Sequence, residues 1–124
     1  MLDTNVLIDD VDVIDRLIEN KNKIIIPYEV IEELDNLKRK KDLQFNINQI
    51  HKKLDKYTKN SLIEVKLANI NNLPHELSKS VNKGDNIILS VALEEKGCIF
   101  ITSDKNLRLK ARVLGIEVKD INEI

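Results

Sequence analysis

Four acidic residues fall where an α/β chain could put carboxylates to chemical use. Asp3 follows the apolar opening Met1-Leu2 within "MLDTNVLI" and would close a short strand. Asp104 comes just after the apolar run "CIFIT" (Cys98–Thr102) and begins a helical pattern. Asp85 begins the helical pattern that precedes that run. Glu33 lies about two turns into "YEVIEELDNLKRKK", although its neighbours Glu32 and Asp35 look no different by composition. If such acids converge they repel: two carboxylates about 4 Å apart cost about 4 kcal/mol at an effective dielectric near 20. A cation among them would balance that charge, and oxygen-only ligands select a hard ion, Mg²⁺ or Mn²⁺. Water activated by such an ion and aimed at phosphorus is the chemistry this set suggests. Each acid also has an ordinary use. Asp85 after Gly84 and Asp104 after Thr102-Ser103 are good helix N-caps, and Glu33 alone suits a solvated helix face.

These acids need elements that end at one edge. Leu2–Asn5 reads as a strand end, Asp12–Asn22 as a helix, and "KIIIP" (Lys23–Pro27) as a strand closed by proline. Pro27 then suits the first turn of a helix with Val30, Ile31, Leu34 and Leu37 on one face. A helix over Leu43–Thr58 carries Ile47, Ile50 and Leu54, and "SLIEVKLA" reads as a strand. Residues 69–83 read as a loop with a turn of helix. Gly84–Glu95 reads as a helix, "CIFIT" as a strand buried on both faces, Asp104–Leu114 as a helix and "IEV" as a last strand. Gly97 and Gly115 are placed as helix stops. Alternation of helices with short buried strands predicts a parallel sheet covered by helices. In such sheets ligands bind outside the carboxyl ends of the strands, which is where the acids fall.

The 124 residues suffice for one domain, residues 1–124, with a real core. A formal net charge of −1 gives no bulk argument for nucleic acid or membrane, so any such partner must be held by local clusters. Apolar runs are far below membrane-spanning length, and no secretory segment is expected at the start. Cys98 is the only cysteine, which rules out an internal disulfide and fits a reducing cytoplasm. With no Trp, and only Tyr28, Tyr57, Phe45 and Phe100 aromatic, a base-stacking platform has little material.

Four pieces in order, "LDTNVLI", "IIIPYEVIEELDNLK", "GDNIILSVALE" and "IFITSDKNLRLKARVLGIEV", resemble a PIN domain over nearly the whole chain. Two of the stretches, "IPYEVIEELDNLK" and "TSDKNLRLKA...LGIEV", are most similar to the PIN domain that precedes the ATPase in PhoH-like proteins. The resemblance implies a three-layer α/β/α sandwich with a central, mainly parallel sheet of about five strands. It implies a metal-dependent endonuclease, mostly acting on single-stranded RNA, with one or two Mg²⁺ or Mn²⁺ ions. The family's acid quartet maps onto Asp3, Glu33, Asp85 and Asp104, and Glu33 is chosen over Glu32 because it stands just before Leu34. Asn5 and Thr102 sit where the family has polar residues that orient the acids or the water. Only Met1 and Leu2 precede Asp3, so the first strand is expected to be very short.

Two basic groups could grip phosphates. Arg108 and Arg112 lie a turn apart on the helix that Asp104 begins, and Lys52, Lys53 and Lys56 lie on another helix near "LKRKK". His51 and His75 lack partners at metal or triad spacing and read as solvated, and Cys98 reads as core. A haloacid dehalogenase-type phosphatase would want a second acid two residues after Asp3, where Asn5 stands. A catalytically idle PIN-fold module for RNA binding or protein docking is the alternative. The PhoH-like similarity further implies an ATPase domain joined in a longer chain. Oligomeric state and RNA against structured DNA are left open.

Overall fold

The computed structural model of the chain describes residues 1–69 and 83–124. Its elements are α1 (Thr4–Asp9), α2 (Val13–Glu19), β1 (Ile24–Pro27), α3 (Tyr28–Leu37), α4 (Gln44–Lys59), β2 (Ile63–Lys66), α5 (Lys83–Glu94), β3 (Ile99–Ile101), α6 (Lys105–Val113) and β4 (Glu117–Lys119). Single 3₁₀ turns cover Lys41–Leu43 and Ile121–Glu123. The loop read over residues 69–83, with His75, lies almost wholly outside the described residues.

Strands pair in parallel, as the alternating pattern predicts: β1 with β2 (Ile24 opposite Ile63) and β3 with β4 (Ile99 opposite Glu117). Among the described residues the expected single sheet of about five strands does not form. They hold two two-stranded sheets, and Met1–Asp3 runs between these without becoming a strand. Leu2 makes one parallel bridge to Ile101 and donates its N–H to the Ile25 carbonyl at 3.2 Å. The Asp3 N–H reaches the Ile101 carbonyl at 3.1 Å. The reason is local. Asp3 caps a helix that starts at Thr4, so the segment read as strand through Asn5 leaves the pairing after one residue. A signal for this was present. Asp is a preferred N-cap, and Leu2 before it and Leu7 four residues after it have hydrophobic-staple spacing. Both are fully buried in the core.

The other differences are small. β3 is buried at Phe100 and Ile101, but Ile99 is 36% exposed, so this strand is not buried on both faces throughout. α2 is shorter than Asp12–Asn22 because Lys21 takes a φ of 62°, which ends the helix. At Gly115, with φ 77°, the Ile116 N–H returns to the Ala111 carbonyl (2.9 Å) and the Gly115 N–H to that of Arg112 (3.1 Å). This is a Schellman stop, and it turns α6 directly into β4.

The core joins every layer: Val6 and Leu7 of α1, Ile24 and Ile26 of β1, Val30 and Leu34 of α3, Ile47, Ile50 and Leu54 of α4, Ile88 and Leu89 of α5, Phe100 of β3, and Leu107 of α6. Leu34 shows what this packing does for the site. It is fully buried one residue after Glu33, so the packing that seats it fixes the rotation of α3. Leu34→Ala would cost about 2–5 kcal/mol and free that rotation. On the other side, α4 is pinned to α2: Lys53 Nζ lies 2.6 Å from Asp15, and the Tyr57 hydroxyl donates to Asp15 at 2.6 Å. Among the described residues no helix is long and apolar enough to cross a membrane.

Candidate active site

Asp3 is 4% exposed, and both its oxygens accept hydrogen bonds. Oδ1 takes the Thr4 N–H at 2.8 Å, as an N-cap does, and Oδ2 takes the Thr102 hydroxyl at 2.7 Å. Burial nevertheless raises its pKa above the ordinary value, with Asp85 and Asp104 pushing the same way against the two donors. Thr102, also fully buried, receives the Asp104 N–H on Oγ1 at 3.2 Å. One hydroxyl thus ties the first acid to the backbone of the last. Asp104 caps α6, its Oδ1 accepting the N–H groups of Asn106 (2.9 Å) and Leu107 (3.1 Å).

Glu33 is half-buried on α3. Its pKa is pushed up to about 7, first by burial, then by Asp3, with Asp85 and Glu29 adding to the push. The Thr4 hydroxyl draws it back in part. That pair falls short of a well-formed hydrogen bond, for Glu33 Oε1 and Thr4 Oγ1 are buried without a partner of good geometry among the described residues. Glu32 and Asp35 are exposed, and Glu32 accepts a hydrogen bond from the Tyr28 hydroxyl. Of the three candidates on this helix, Glu33 is the one that feels Asp3. Asp85 lies in the first turn of α5 rather than at its cap, because the helix begins at Lys83. It is half-buried, and its pKa is raised by burial and by Asp104, against a pull from Lys110.

Asp3 therefore feels the charges of Asp85 and Asp104, Glu33 those of Asp3 and Asp85, and Asp85 that of Asp104. They are not drawn into a ligand cage: among the described residues no three His, Cys, Asp or Glu lie close enough to hold a metal ion. The residues still fit one in kind. All are hard oxygen donors, and the Glu33 oxygen is buried without the partner that such an atom normally has. A cavity of about 590 Å³ opens at the opposite, amino edge, among residues that include Leu17, Ile24, Gly97 and Cys98, and none of the four acids lines it.

Three contributors escaped the sequence reading. Glu29 stands one turn before Glu33 and near Gly84, whose Cβ position is 3.4 Å from Glu29 Oε1. Spacing of four on one helix was a signal for it. Thr4 and Lys110 carried no signal beyond lying close to acids in sequence or on a helix. Of the expected supporting residues, Thr102 is central, whereas Asn5 is exposed on the first turn of α1.

Two of the five expected phosphate-gripping residues are committed elsewhere. Arg108 has a side chain only 14% exposed; Nη1 donates to the Thr102 carbonyl at 2.9 Å and lies 3.9 Å from Asp120. Lys53 is 18% exposed and bound to Val11, Asp12 and Asp15. Arg112, Lys52 and Lys56 are exposed. The heads of Arg108 and Lys53 find acceptors within the fold, which spacing alone does not reveal.

The PIN domain family model matches residues 1–122. A solved structure of a domain of a functionally unknown protein from Methanocaldococcus jannaschii DSM 2661 is similar at 28% identity, with a TM-score of 0.65 over 97% of this chain and 88% of that one. No curated protein matches the chain. The match over nearly all of its length places this chain in the PIN domain family, whose members are generally nucleases.

Proposed function

We propose that the protein is a Mg²⁺- or Mn²⁺-dependent endoribonuclease that cleaves single-stranded RNA, with Asp3, Glu33, Asp85 and Asp104 holding one or two ions. The observation that carries this reading is Glu33: a half-buried carboxyl whose pKa is pushed up to about 7 by burial and by Asp3, with one buried oxygen that finds no well-formed hydrogen bond among the described residues. A hard divalent ion at these acids supplies counter-charge and the activation of water toward phosphorus. The chain does the rest. Thr102 fixes the orientation of Asp3, and the α6 cap fixes Asp104. Burial and Asp3 favour the protonated form of Glu33, which must release its proton to act as a ligand. Of the basic residues expected to grip phosphates, Arg112, Lys52 and Lys56 are exposed and can meet them.

The likeness of two stretches to PIN domains of PhoH-like proteins, a linked ATPase and a cytoplasmic setting belong to the same proposal. Labelled single-stranded RNA and DNA incubated with the protein, with and without Mn²⁺, test it. Cleavage of RNA that requires Mn²⁺ and is lost in Asp104→Asn is the expected result. Weak Mn²⁺ binding with no cleavage would instead indicate an idle PIN-fold module.

A further inference from the structure

Thr102 bonds to both Asp3 and the backbone of Asp104, and its three polar groups, N–H, hydroxyl and carbonyl, make four hydrogen bonds. Its N–H donates to the Lys119 carbonyl at 3.1 Å, and its hydroxyl donates to Asp3 and accepts from Asp104. Its carbonyl accepts from Arg108 Nη1 at 2.9 Å. Arg108 is also tied to the start of α6 by its own N–H, which reaches the Asp104 carbonyl at 3.0 Å. Beyond it stands Asp120, the N-cap of the final 3₁₀ turn, itself held in a capping box with Glu123.

We propose that Arg108 is a positioning residue of the acid site: its guanidinium holds residues 102–104 in register against the Asp120 turn, and so sets the places of Asp3 and Asp104. It acts through Thr102 and does not grip RNA. This rests on the reading of the four acids as one cation site. Both contacts run through one nitrogen, Nη1, which donates to the Thr102 carbonyl at 2.9 Å and lies 3.9 Å from the Asp120 carboxylate, and the rigid planar guanidinium fixes where that nitrogen sits. Without it a buried carbonyl loses its donor, and the loop that carries the Asp3 anchor is free to shift. A lysine restores the charge on a flexible stem that does not fix the place of its nitrogen. A residue that merely supplied positive charge would therefore be replaceable by lysine, and a phosphate grip would show in the salt dependence of RNA binding.

The test uses wild type, Arg108→Lys, Arg108→Ala and, as an exposed control on the same helix, Val113→Ala. Two readouts are taken: Mn²⁺ affinity, and amide hydrogen exchange without metal at Asp3, Thr102 and Asp104. Expected for Arg108→Ala is Mn²⁺ binding at least tenfold weaker and exchange at those three amides at least tenfold faster, with Ile50 in α4 unchanged. Arg108→Lys should fall between, which keeps the test decisive if the alanine variant fails to fold. RNA cleavage should lose kcat with KM and salt slope unchanged. Mn²⁺ affinity and local exchange equal to wild type in Arg108→Lys would overturn the proposal, as would a flattened salt slope with unchanged metal affinity. If wild type itself binds no Mn²⁺, the nuclease reading fails, while local exchange still decides whether Arg108 orders residues 102–104.

Discussion

The two sides of the acid site are held by different means. At the β3–α6 junction, Asp3 and Asp104 are fixed by hydrogen bonds: two donors on Asp3, two backbone N–H groups on Asp104, and Thr102 between them. On the α3 side, Glu33 is fixed by packing next to Leu34, with one buried oxygen that finds no well-formed hydrogen bond among the described residues and its pKa driven up by burial. One side is fixed by hydrogen bonds and the other by packing, and only on the packed side does burial lift a carboxyl to a pKa of about 7. The difference teaches that hydrogen-bond donors hold a buried carboxylate in place, whereas packing alone leaves its charge uncompensated.

That contrast can be broken from either side. Asp104→Asn keeps the cap of α6 but removes a charge from the ordered side. Cleavage should fall by more than the roughly 10–100-fold typical of a supporting residue, while the melting temperature stays near wild type. A variant that retains cleavage would detach Asp104 from the site. Thr102→Val strips the hydroxyl from both acids. Because buried partners are left unpaired, it should cost about 1–3 kcal/mol in denaturant unfolding and weaken Mn²⁺ binding about 10–100-fold.

The packed side responds to pH with a definite sign. Glu33 loses its proton near 7 in the fold against 4.5 in the open chain, so the folded state holds the extra proton between those values. Stability without metal should therefore fall as pH rises from about 5 to above 7. The full shift would be worth about 3 kcal/mol; with the group only half-buried, roughly 1–2 kcal/mol is expected. Glu33→Gln should recover that amount at pH 8, seen as a higher melting temperature without metal, and should show little gain at pH 5. A lower melting temperature at pH 8 would mean that the carboxylate is not crowded. The smallest effect lies outside the site. Arg112→Ala should change stability by less than about 0.5 kcal/mol while reducing the salt slope of RNA binding by about 0.7 for a lost phosphate contact.

Much of this was legible in the chain, and what was not has physical causes. β-branched runs gave β1 and β3, and apolar spacing gave the buried faces of α3 and α4, because burial imposes a period that the sequence must carry. The opening misled: Leu2–Asn5 looked like a strand end, yet Asp3 and the staple spacing made it a helix start. The acids could be placed at one edge, but composition could not separate Glu33 from Glu32, since both are glutamates on one helix and only packing decides which turns inward. Arg108 and Lys53 looked like free cations because spacing says nothing about a buried carbonyl or carboxylate from a distant segment. Such partners, separated by 42 positions for Lys53 and Val11, exist only in the fold.

The central claim is that the four acids form one cation site completed when Glu33 gives up its proton. Calorimetric titration with Mn²⁺ at pH 7, in two buffers of different ionisation enthalpy, tests it most directly. The account predicts binding that releases a proton fraction from Glu33, whose pKa is pushed up to about 7, with affinity rising as pH is raised from 6 to 8. In Glu33→Gln the proton release should vanish and the affinity drop. Binding without proton release, equal in wild type and Glu33→Gln, or no binding at all, would contradict it.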